Sequence, residues 1–209
     1  MDIKIFEVGP FAENTYLLQE SGNAILIDPG FSNETEYQSF KNALSDVELT
    51  AVVLTHAHVD HVLGLQRVLK DFDVKVHVNT GDLFLWENFG SQATMFGLNQ
   101  AGFSFTPEAL PKDEYFEIGQ FKFKCLYTPG HSPDHTSLYF EDENLVIAGD
   151  VLFRESIGRT DLYQGNFEVL EKSIQEKLYT LPGETKVYPG HGPSTTIAHE
   201  KQSNPFVKG

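Results

Sequence analysis

Four short apolar runs in this chain each lead directly to side chains of the kinds that bind metal ions. The run AVVLT, residues 51–55, is followed by HAHVDH, and three later runs lead to a histidine or an aspartate. The candidate ligands are His56, His58, Asp60, His61, His131, Asp150 and His191. If the runs are strands that lie side by side in one direction, their ends share one rim, where ligands of α/β proteins usually bind. The fold would then bring seven polar side chains to one pocket.

The sequence around these residues favours sharp turns at the predicted site. In HAHVDH, residues 56–61, four candidates stand within six positions, immediately after a run typical of a buried strand. A strand-to-helix junction here would place Asp60 and His61 at the start of a helix, where exposed amides favour a carboxylate. A glycine directly precedes each of the three later candidates, which suits tight backbone turns beside a crowded site.

Seven candidate ligands exceed the four that a tetrahedral metal site accepts. They fit two ions ~3.5–4 Å apart that share a bridging carboxylate and a bridging hydroxide. We assign His56, His58 and His131 to the first ion, Asp60, His61 and His191 to the second, and Asp150 to the bridge. The sequence thus predicts a two-metal centre.

Hydrophobic periodicity predicts a layered α/β protein with a mixed sheet or two sheets. Strands are expected near residues 3–5, 16–18, 24–28, 51–55, 121–128, 137–140, 144–149 and 185–190. Helices are expected at residues 33–46, where Asn33 and Glu36 resemble a capping box, at 62–69, and from Asn166 to about residue 178. The Phe-rich residues 79–113 are predicted to form short helices and loops whose rings pack. We expect one domain over residues 1–209.

Composition limits the partners. Lys and Arg total 15 against 30 Asp and Glu, and the net charge of −15 opposes attachment to phosphate backbones or anionic lipid. No stretch approaches the ~20 apolar residues of a membrane span, so we expect a cytoplasmic protein with no nucleic-acid or membrane partner. Cys125 is the only cysteine, which excludes an intrachain disulfide. The oligomeric state stays open.

Other polar residues have simpler explanations. His77 and His199 are expected in structural or surface positions. For His135 we favour a hydrogen bond to a ligand residue, with direct contact to metal or substrate as the alternative. Asp28 follows the run AILI and is either a turn residue or a carboxylate that orients a ligand histidine, with the second reading favoured. Cys125 is expected in the core.

The motifs THAHVDH, PGHSPDHT, AGD and GHG occur in this order and resemble the metal motifs of the metallo-β-lactamase superfamily over nearly the whole chain. The segments GDVLFRESIGRTDL and GHGPSTTIAHEKQSNPF resemble short bacterial glyoxalase II-like hydrolases. The resemblance implies a four-layer αββα sandwich with a dinuclear metal site. Zinc is the expected metal, and iron or a mixture of the two is the alternative. It also implies hydrolysis of glutathione thioesters such as S-lactoylglutathione.

Two positions depart from related branches. The superfamily's lactam-cleaving members generally have Cys or Ser where this chain has Asp150, whereas the thioesterase, lactonase and phosphodiesterase branches resemble it there. The glyoxalase II-like family often has Gly where this chain has Asp134. The expected substrate is therefore a small-molecule thioester.

The expected mechanism is attack by a metal-bridging hydroxide, which two cations make available near neutral pH. Asp60 and Asp150 are the expected catalytic carboxylates, because they would position that hydroxide. The predicted substrate-binding residues are Arg154, Arg159 and Tyr163. An ion pair between Arg159 and Asp161 is an equally supported alternative to a role for Arg159 in binding a substrate carboxylate.

Other functions remain as alternatives. Persulfide dioxygenases have the fold of this superfamily and also resemble this chain in the GRTD stretch. In that case one iron would be held here by His56, His131 and Asp150. Another esterase or lactonase of the same fold is a further alternative. A non-catalytic metal module fits less well, because a structural zinc needs neither seven ligands nor open positions.

Overall fold

A computed structural model describes all 209 residues, which divide into two compact units. The first unit comprises Met1–Leu110 and Glu117–Phe121. The second comprises Pro111–Phe116 and Lys122–Gly209. Each unit has its own arrangement of strands and helices, described in turn below.

The first unit is built on a six-stranded mixed sheet in which the strands follow chain order. The strands are β1 (Asp2–Val8), β2 (Glu13–Glu20), β3 (Asn23–Ile27), β4 (Glu48–Val53), β5 (Lys75–Val78) and β6 (Glu108–Ala109). β1, β2 and β3 pair antiparallel, whereas β3, β4, β5 and β6 pair parallel. The chain therefore begins with three antiparallel strands.

Five short helices accompany this sheet. They are α1 (Glu34–Leu44), α2 (Val59–Val62), α3 (Leu65–Asp71), α4 (Leu83–Glu87) and α5 (Phe89–Met95), with a 3-10 turn at Thr80–Asp82. The Asn33 side chain caps α1 by accepting from the Glu36 N–H at 3.0 Å, as predicted. The Glu36 carboxylate accepts from the Ser32 N–H instead of the Asn33 N–H, so the capping box is incomplete.

The helix predicted at residues 62–69 is instead two helices, α2 and α3, separated at Gly64. The Gly64 N–H donates to the Pro29 carbonyl at 2.7 Å rather than to a helical carbonyl. A Cβ atom at this position would lie 2.7 Å from the Phe31 Cβ. The close approach of Phe31 therefore requires glycine and interrupts the helix.

The core of the first unit includes a cluster of aromatic side chains. Phe31, Tyr37 and Phe40 are buried, and the Phe31 and Phe40 rings stack with centroids 5.3 Å apart. In the Phe-rich segment the Trp86 and Phe103 rings stack at 4.2 Å, which agrees with the predicted packing role.

A second six-stranded sheet has the order β14-β13-β10-β9-β8-β7. Its strands are β7 (Tyr115–Ile118), β8 (Phe121–Tyr127), β9 (Thr136–Phe140), β10 (Leu145–Gly149), β13 (Lys186–Pro189) and β14 (Thr195–Thr196). β9 pairs antiparallel with both β8 and β10, and β10 pairs parallel with β13. β8, β10 and β13 consequently run in one direction.

The second unit also contains a hairpin and two helical segments. The hairpin joins β11 (Leu152–Phe153) to β12 (Ser156–Ile157), and the helices are α6 (Phe167–Ser173) and α7 (Ile197–Ser203). α6 begins after Asn166, as predicted, and continues as a π-helical turn at Ile174–Leu178. α7 was not predicted. No helix combines the length and apolar character needed to cross a membrane.

The structure corrects one expectation about the four strands that lead to candidate ligands. Three of them, β8, β10 and β13, share the second sheet, but β4 belongs to the first sheet. The apolar runs show that each segment is a buried strand, yet such local patterns do not determine strand partners. The four strands therefore do not form one row in a single sheet.

Candidate metal centre

The loop after β4 gathers three buried histidines within the first unit. The His56 and His58 ring centroids are 4.7 Å apart, and those of His56 and His61 are 4.1 Å apart. His58 directly precedes α2, which contains Asp60 and His61. The Asp60 Oδ2 atom lies 3.9 Å from the His61 Nε2 atom. The strand-to-helix junction thus brings the first four candidate ligands together, as predicted.

Asp28 orients part of this cluster from the end of β3. Its carboxylate accepts from the Thr55 N–H at 2.7 Å and from the Thr55 hydroxyl at 2.6 Å. The same carboxylate lies 3.0 Å from the His61 Nδ1 atom, and Asp28 is only 1% exposed. The His61 Nδ1–H therefore donates to Asp28, which leaves the Nε2 lone pair available to a metal ion. Asp28 thus makes the contact with His61 that the sequence analysis favoured over a simple turn role.

The Thr55 hydroxyl orients the His56 ring in the same way, through its Nδ1 atom. Its single proton goes to Asp28, so its oxygen accepts from the His56 Nδ1–H at 3.0 Å. This arrangement presents the His56 Nε2 atom to a metal.

Glu13 is a buried carboxylate in this cluster that the sequence did not identify. It is 1% exposed, and its Oε1 atom lies 3.8 Å from the His61 Nδ1 atom. The Thr15 hydroxyl is 2.8 Å from its other oxygen. Burial raises the pKa of Glu13 well above its ordinary value, and the nearby His61 acts in the opposite direction. A Cβ atom at Gly30 would lie 2.2 Å from the Glu13 Oε2 atom and 2.5 Å from the Asp60 backbone carbonyl oxygen, so only glycine fits here.

Two further residues hold the backbone of the histidine loop at Ala57. The buried Asp82 carboxylate accepts from the Ala57 N–H at 3.1 Å. The Gln92 amide of α5 donates to the Ala57 carbonyl at 3.2 Å. Ala57 stands between His56 and His58, so these bonds fix the loop that carries both ligands. Neither contact has a signal in the local sequence, because each joins segments 25 or more residues apart.

The second unit brings the three remaining candidates together. The Asp150 Oδ2 atom lies 3.4 Å from the His131 Nε2 atom and 3.4 Å from the His191 Nε2 atom. The His131 Nδ1–H donates to the Arg159 carbonyl at 2.8 Å, which directs Nε2 toward Asp150. A Cβ atom at Gly158 would lie 1.9 Å from the Asp150 carbonyl oxygen, so the following loop packs tightly against this cluster.

His135 and Asp134 lie close to these ligands and are hydrogen-bonded to other groups. The His135 Nε2 atom accepts from the Asp150 N–H at 3.1 Å, in agreement with the hydrogen-bonding role that we favoured. The Asp134 carboxylate pairs with the Lys112 ammonium at 2.5 Å, and that ammonium lies 4.2 Å from the Tyr127 ring centroid. Lys112 therefore neutralises the extra carboxylate that distinguishes this loop from the family pattern.

The three predicted substrate-binding residues are all exposed on the second unit. Arg159 forms a two-point ion pair with Asp161, with nitrogen–oxygen distances of 2.7 and 2.8 Å. The ion pair raises the pKa of Arg159 and lowers that of Asp161 to about 2. Arg154 follows β11 in the hairpin, and the Tyr163 hydroxyl accepts from Gln164 at 3.2 Å. The alternative that Arg159 pairs with Asp161 is thus what the structure shows.

The residues expected to have structural roles do have them. His77 is buried in β5, and burial lowers its pKa. His199 is partly exposed and lies 3.0 Å from Glu155. Cys125 is fully buried, and burial raises the pKa of its thiol to about 12.

Residues 8–191 match the sequence profile of the metallo-β-lactamase superfamily. The chain is 41% identical to a probable metallo-hydrolase of Streptococcus pyogenes, over 93% of this chain and 85% of the relative. It is 36% identical to the hydroxyacylglutathione hydrolase GloC of Haemophilus influenzae, over 99% of this chain and 98% of that relative. The chain therefore belongs to the metallo-β-lactamase superfamily and is a metal-dependent hydrolase of that fold.

Solved structures agree with this assignment. The B3 metallo-β-lactamase BLEG-1 has a TM-score of 0.91, with 34% identity and complete coverage of both chains. TTHA1623 in a di-iron-bound form has a TM-score of 0.85, with 36% identity over 95% of this chain and 97% of its own. ETHE1 from Myxococcus xanthus has a TM-score of 0.78, with 29% identity over 98% of this chain and 84% of its own. The predicted mixed α/β fold class is confirmed.

The donor groups suit transition metals. Imidazole nitrogens and carboxylate oxygens are typical ligands of zinc and iron. His56, His61 and His131 each donate from Nδ1 to an acceptor within their own unit, an arrangement typical of metal-binding histidines. With their carboxylates, the histidines offer enough donors for two ions.

Proposed function

We propose that the seven predicted ligands form one two-metal centre, and that residues 1–209 form a single hydrolase domain. His56, His58 and His131 would hold one ion, Asp60, His61 and His191 would hold the other, and Asp150 would bridge them. The observation that carries this proposal is the shared orientation of the ligand histidines. In both units, acceptors engage Nδ1 and thereby reserve Nε2 for coordination.

We further propose that the reaction is hydrolysis of a thioester, with hydroxyacylglutathione as the favoured substrate class. Support comes from the 36% identity to GloC over nearly the whole of both chains. Zinc is the first choice of metal, and the similarity to a di-iron-bound protein makes iron the second. Two divalent ions, when bound, would lower the pKa of a bound water toward ~7 and polarise the substrate carbonyl.

The roles of the chain's own carboxylates follow from their positions. Asp150 is 7% exposed, and its Oδ2 atom lies 3.4 Å from the Nε2 atoms of His131 and His191, so these three donors could share an ion. Asp60 stands in the first turn of α2 and is partly exposed. Both would accept hydrogen bonds from the attacking water and orient it toward the carbonyl. A thiolate of pKa near ~8.5 leaves without a dedicated acid, which suits a thioester better than an amide.

Substrate binding is proposed for Arg154, Arg159 and Tyr163 in the segment after Asp150. Arg154 is the stronger candidate for a substrate carboxylate, because the Arg159 guanidinium already forms two bonds with Asp161. Arg159 would have to exchange this ion pair for the substrate.

A mononuclear iron persulfide dioxygenase is the second candidate. Support for iron as the metal comes from the similarity to a di-iron-bound protein, and the chain is also similar to ETHE1. In this alternative His56, His131 and Asp150 would hold the single iron. Metal stoichiometry separates the two functions.

The test is to count metals per chain in the purified protein and to assay three activities on the same preparation. These are hydrolysis of S-lactoylglutathione, oxygen uptake with glutathione persulfide, and hydrolysis of a β-lactam, since BLEG-1 is similar in structure. Two metals with thioester turnover support the proposal. One iron with oxygen consumption, or turnover of the β-lactam alone, would contradict it.

A matched pair of variants links activity to the ligands. We expect His61→Ala to lose the second ion and thioester turnover, because His61 is buried and oriented by Asp28. His199→Ala is the control, because His199 is partly exposed and contacts Glu155 instead. Full activity in His61→Ala would contradict the proposed second metal ion.

A further inference from the structure

A hydrogen bond joins the buried His135 ring to the backbone of Asp150. β10 ends at Gly149, whose φ of 51° is left-handed and turns the chain out of the sheet. The next amide, that of Asp150, donates to the His135 Nε2 atom at 3.1 Å. A buried N–H without an acceptor is costly, and His135, which is fully buried, supplies the acceptor.

The neighbours of the ring determine which nitrogen carries the proton. Because Nε2 accepts a hydrogen bond, the proton of the ring lies on Nδ1, which donates to the Thr128 hydroxyl at 3.0 Å. The Ser137 hydroxyl donates to the Ala148 carbonyl at 3.2 Å, so its oxygen accepts from Thr128 at 3.0 Å. All four hydrogen bonds therefore point the same way along the chain of groups, from the Asp150 amide to the Ala148 carbonyl.

The chain of bonds starts and ends on the same segment. It runs from the Asp150 amide through His135, Thr128 and Ser137 to the Ala148 carbonyl in β10, and its three side chains are completely buried. The backbone on both sides of Gly149 is thus fixed by the loop and strands that also carry His131.

We infer that His135 is a positioning residue that sets the carboxylate of Asp150, and that it is not a metal ligand. Both of its ring nitrogens are engaged by the protein, and a ligand would have to release one of them. The inference rests on the proposed role of Asp150 as bridging ligand. A shift of the Asp150 backbone would move a carboxylate that lies 3.4 Å from both His131 and His191.

The direct test is the tautomer of His135 in the zinc-loaded protein. Histidine labelled with ¹⁵N and observed through ring couplings should show the His135 proton on Nδ1. A proton on Nε2, or a nitrogen shift that marks metal binding, would overturn the inference. This measurement needs no substrate, so its outcome is independent of whether the protein is a thioesterase.

Two variants test the effect on the metal centre. His135→Leu removes the acceptor, whereas His135→Gln can place an amide oxygen near the former position of Nε2. We expect His135→Leu to bind zinc about 10–100-fold more weakly, as is typical when a group that orients a ligand is lost. We expect His135→Gln to recover most of that affinity. His199→Leu is the control and should bind zinc like the unmodified protein.

The kinetic readout separates positioning from general stability. In His135→Leu, kcat for the thioester should fall while KM changes little, because substrate-binding residues are untouched. Unchanged zinc affinity and kcat in a folded His135→Leu would overturn the inference, as would equal losses in the Leu and Gln variants.

If His135→Leu does not fold, Thr128→Val replaces it. Valine keeps the shape of Thr128 but removes the acceptor for Nδ1–H. The expected result is weaker zinc binding together with a mixture of His135 tautomers. Unchanged affinity and a single tautomer in this variant would contradict the inference.

Discussion

Replacing Asp28 by Asn tests the orientation of the ligand histidines most severely. The Oδ1 atom accepts from the Thr55 N–H, and Oδ2 accepts from the Thr55 hydroxyl and from His61 Nδ1–H. Every partner of the carboxylate is thus a donor. An amide group in either orientation directs its own N–H groups at one or more of these donors. The change preserves shape but makes the hydrogen-bond pattern impossible.

The expected loss can be worked from these contacts. If the amide nitrogen takes the place of Oδ2, His61 must move its proton from Nδ1 to Nε2 to accept from it, and that proton blocks the metal. The Thr55 hydroxyl must also turn away, which removes the acceptor of the His56 Nδ1–H. If the amide nitrogen takes the place of Oδ1, it faces the Thr55 N–H and pushes the histidine loop away. Loss of such an orienting group costs about 10–100-fold in metal affinity, or about 1.4–2.8 kcal/mol. The metal-free protein should lose about 1.5–3 kcal/mol for each charge-assisted bond that is broken.

The assay is a zinc titration against a coloured chelator, with metals per chain counted after dialysis, and urea unfolding of the metal-free protein. Asp46→Asn is the matched control, because Asp46 is exposed and lies outside the ligand loops. We expect the control to retain both ions at unchanged affinity. An Asp28→Asn protein that also retains two ions at unchanged affinity would refute the proposed coupling between carboxylate and histidine orientation.

Three further predictions concern the second unit. Gly158→Ala should destabilise the protein by about 1–3 kcal/mol and weaken metal binding, because the added methyl would lie 1.9 Å from the Asp150 carbonyl oxygen. Gly102→Ala, with open space around it, is the control, and equal stability of both variants would contradict the tight packing. Asp161 should titrate by NMR near pH 2, since the hydrogen bond from Arg159 lowers its pKa to about 2. Because this pKa is depressed, the stability that the pair contributes is complete above the unfolded pKa of about 3.9 and is lost as pH falls toward 2. In the Arg159→Ala protein Asp161 should titrate at about 3.9. An identical Asp161 midpoint in both proteins would rule out the ion pair. Cys125, with its pKa raised to about 12 by burial, should resist a disulfide reagent at pH 8 until guanidinium unfolds the protein, and rapid labelling of the folded protein would show that the thiol is accessible.

The candidate ligands stand out in the sequence because their signal is local. Four of them stand within residues 56–61, and each of the others follows a strand-like apolar run and a glycine. The structure brings the predicted residues together within each unit, with His56 beside His61 and His131 beside Asp150. Chemistry that is concentrated at strand ends is therefore accessible to sequence reasoning.

The residues that orient the ligands could not be predicted so readily. Glu13, Asp82 and Gln92 contact the histidine loop from segments 25 or more residues away in sequence. Their positions depend on strand order, which local periodicity does not determine. The break at Gly64 has the same origin, because Phe31 approaches it from another part of the chain.

The most direct measurement of the central claim is the anomalous scattering of a crystal of the zinc-loaded protein at the zinc absorption edge. The account predicts two peaks per chain, with Asp150 contacting both and the six other predicted ligands divided three to each. A single peak bound by His56, His131 and Asp150, or peaks away from these residues, would contradict it.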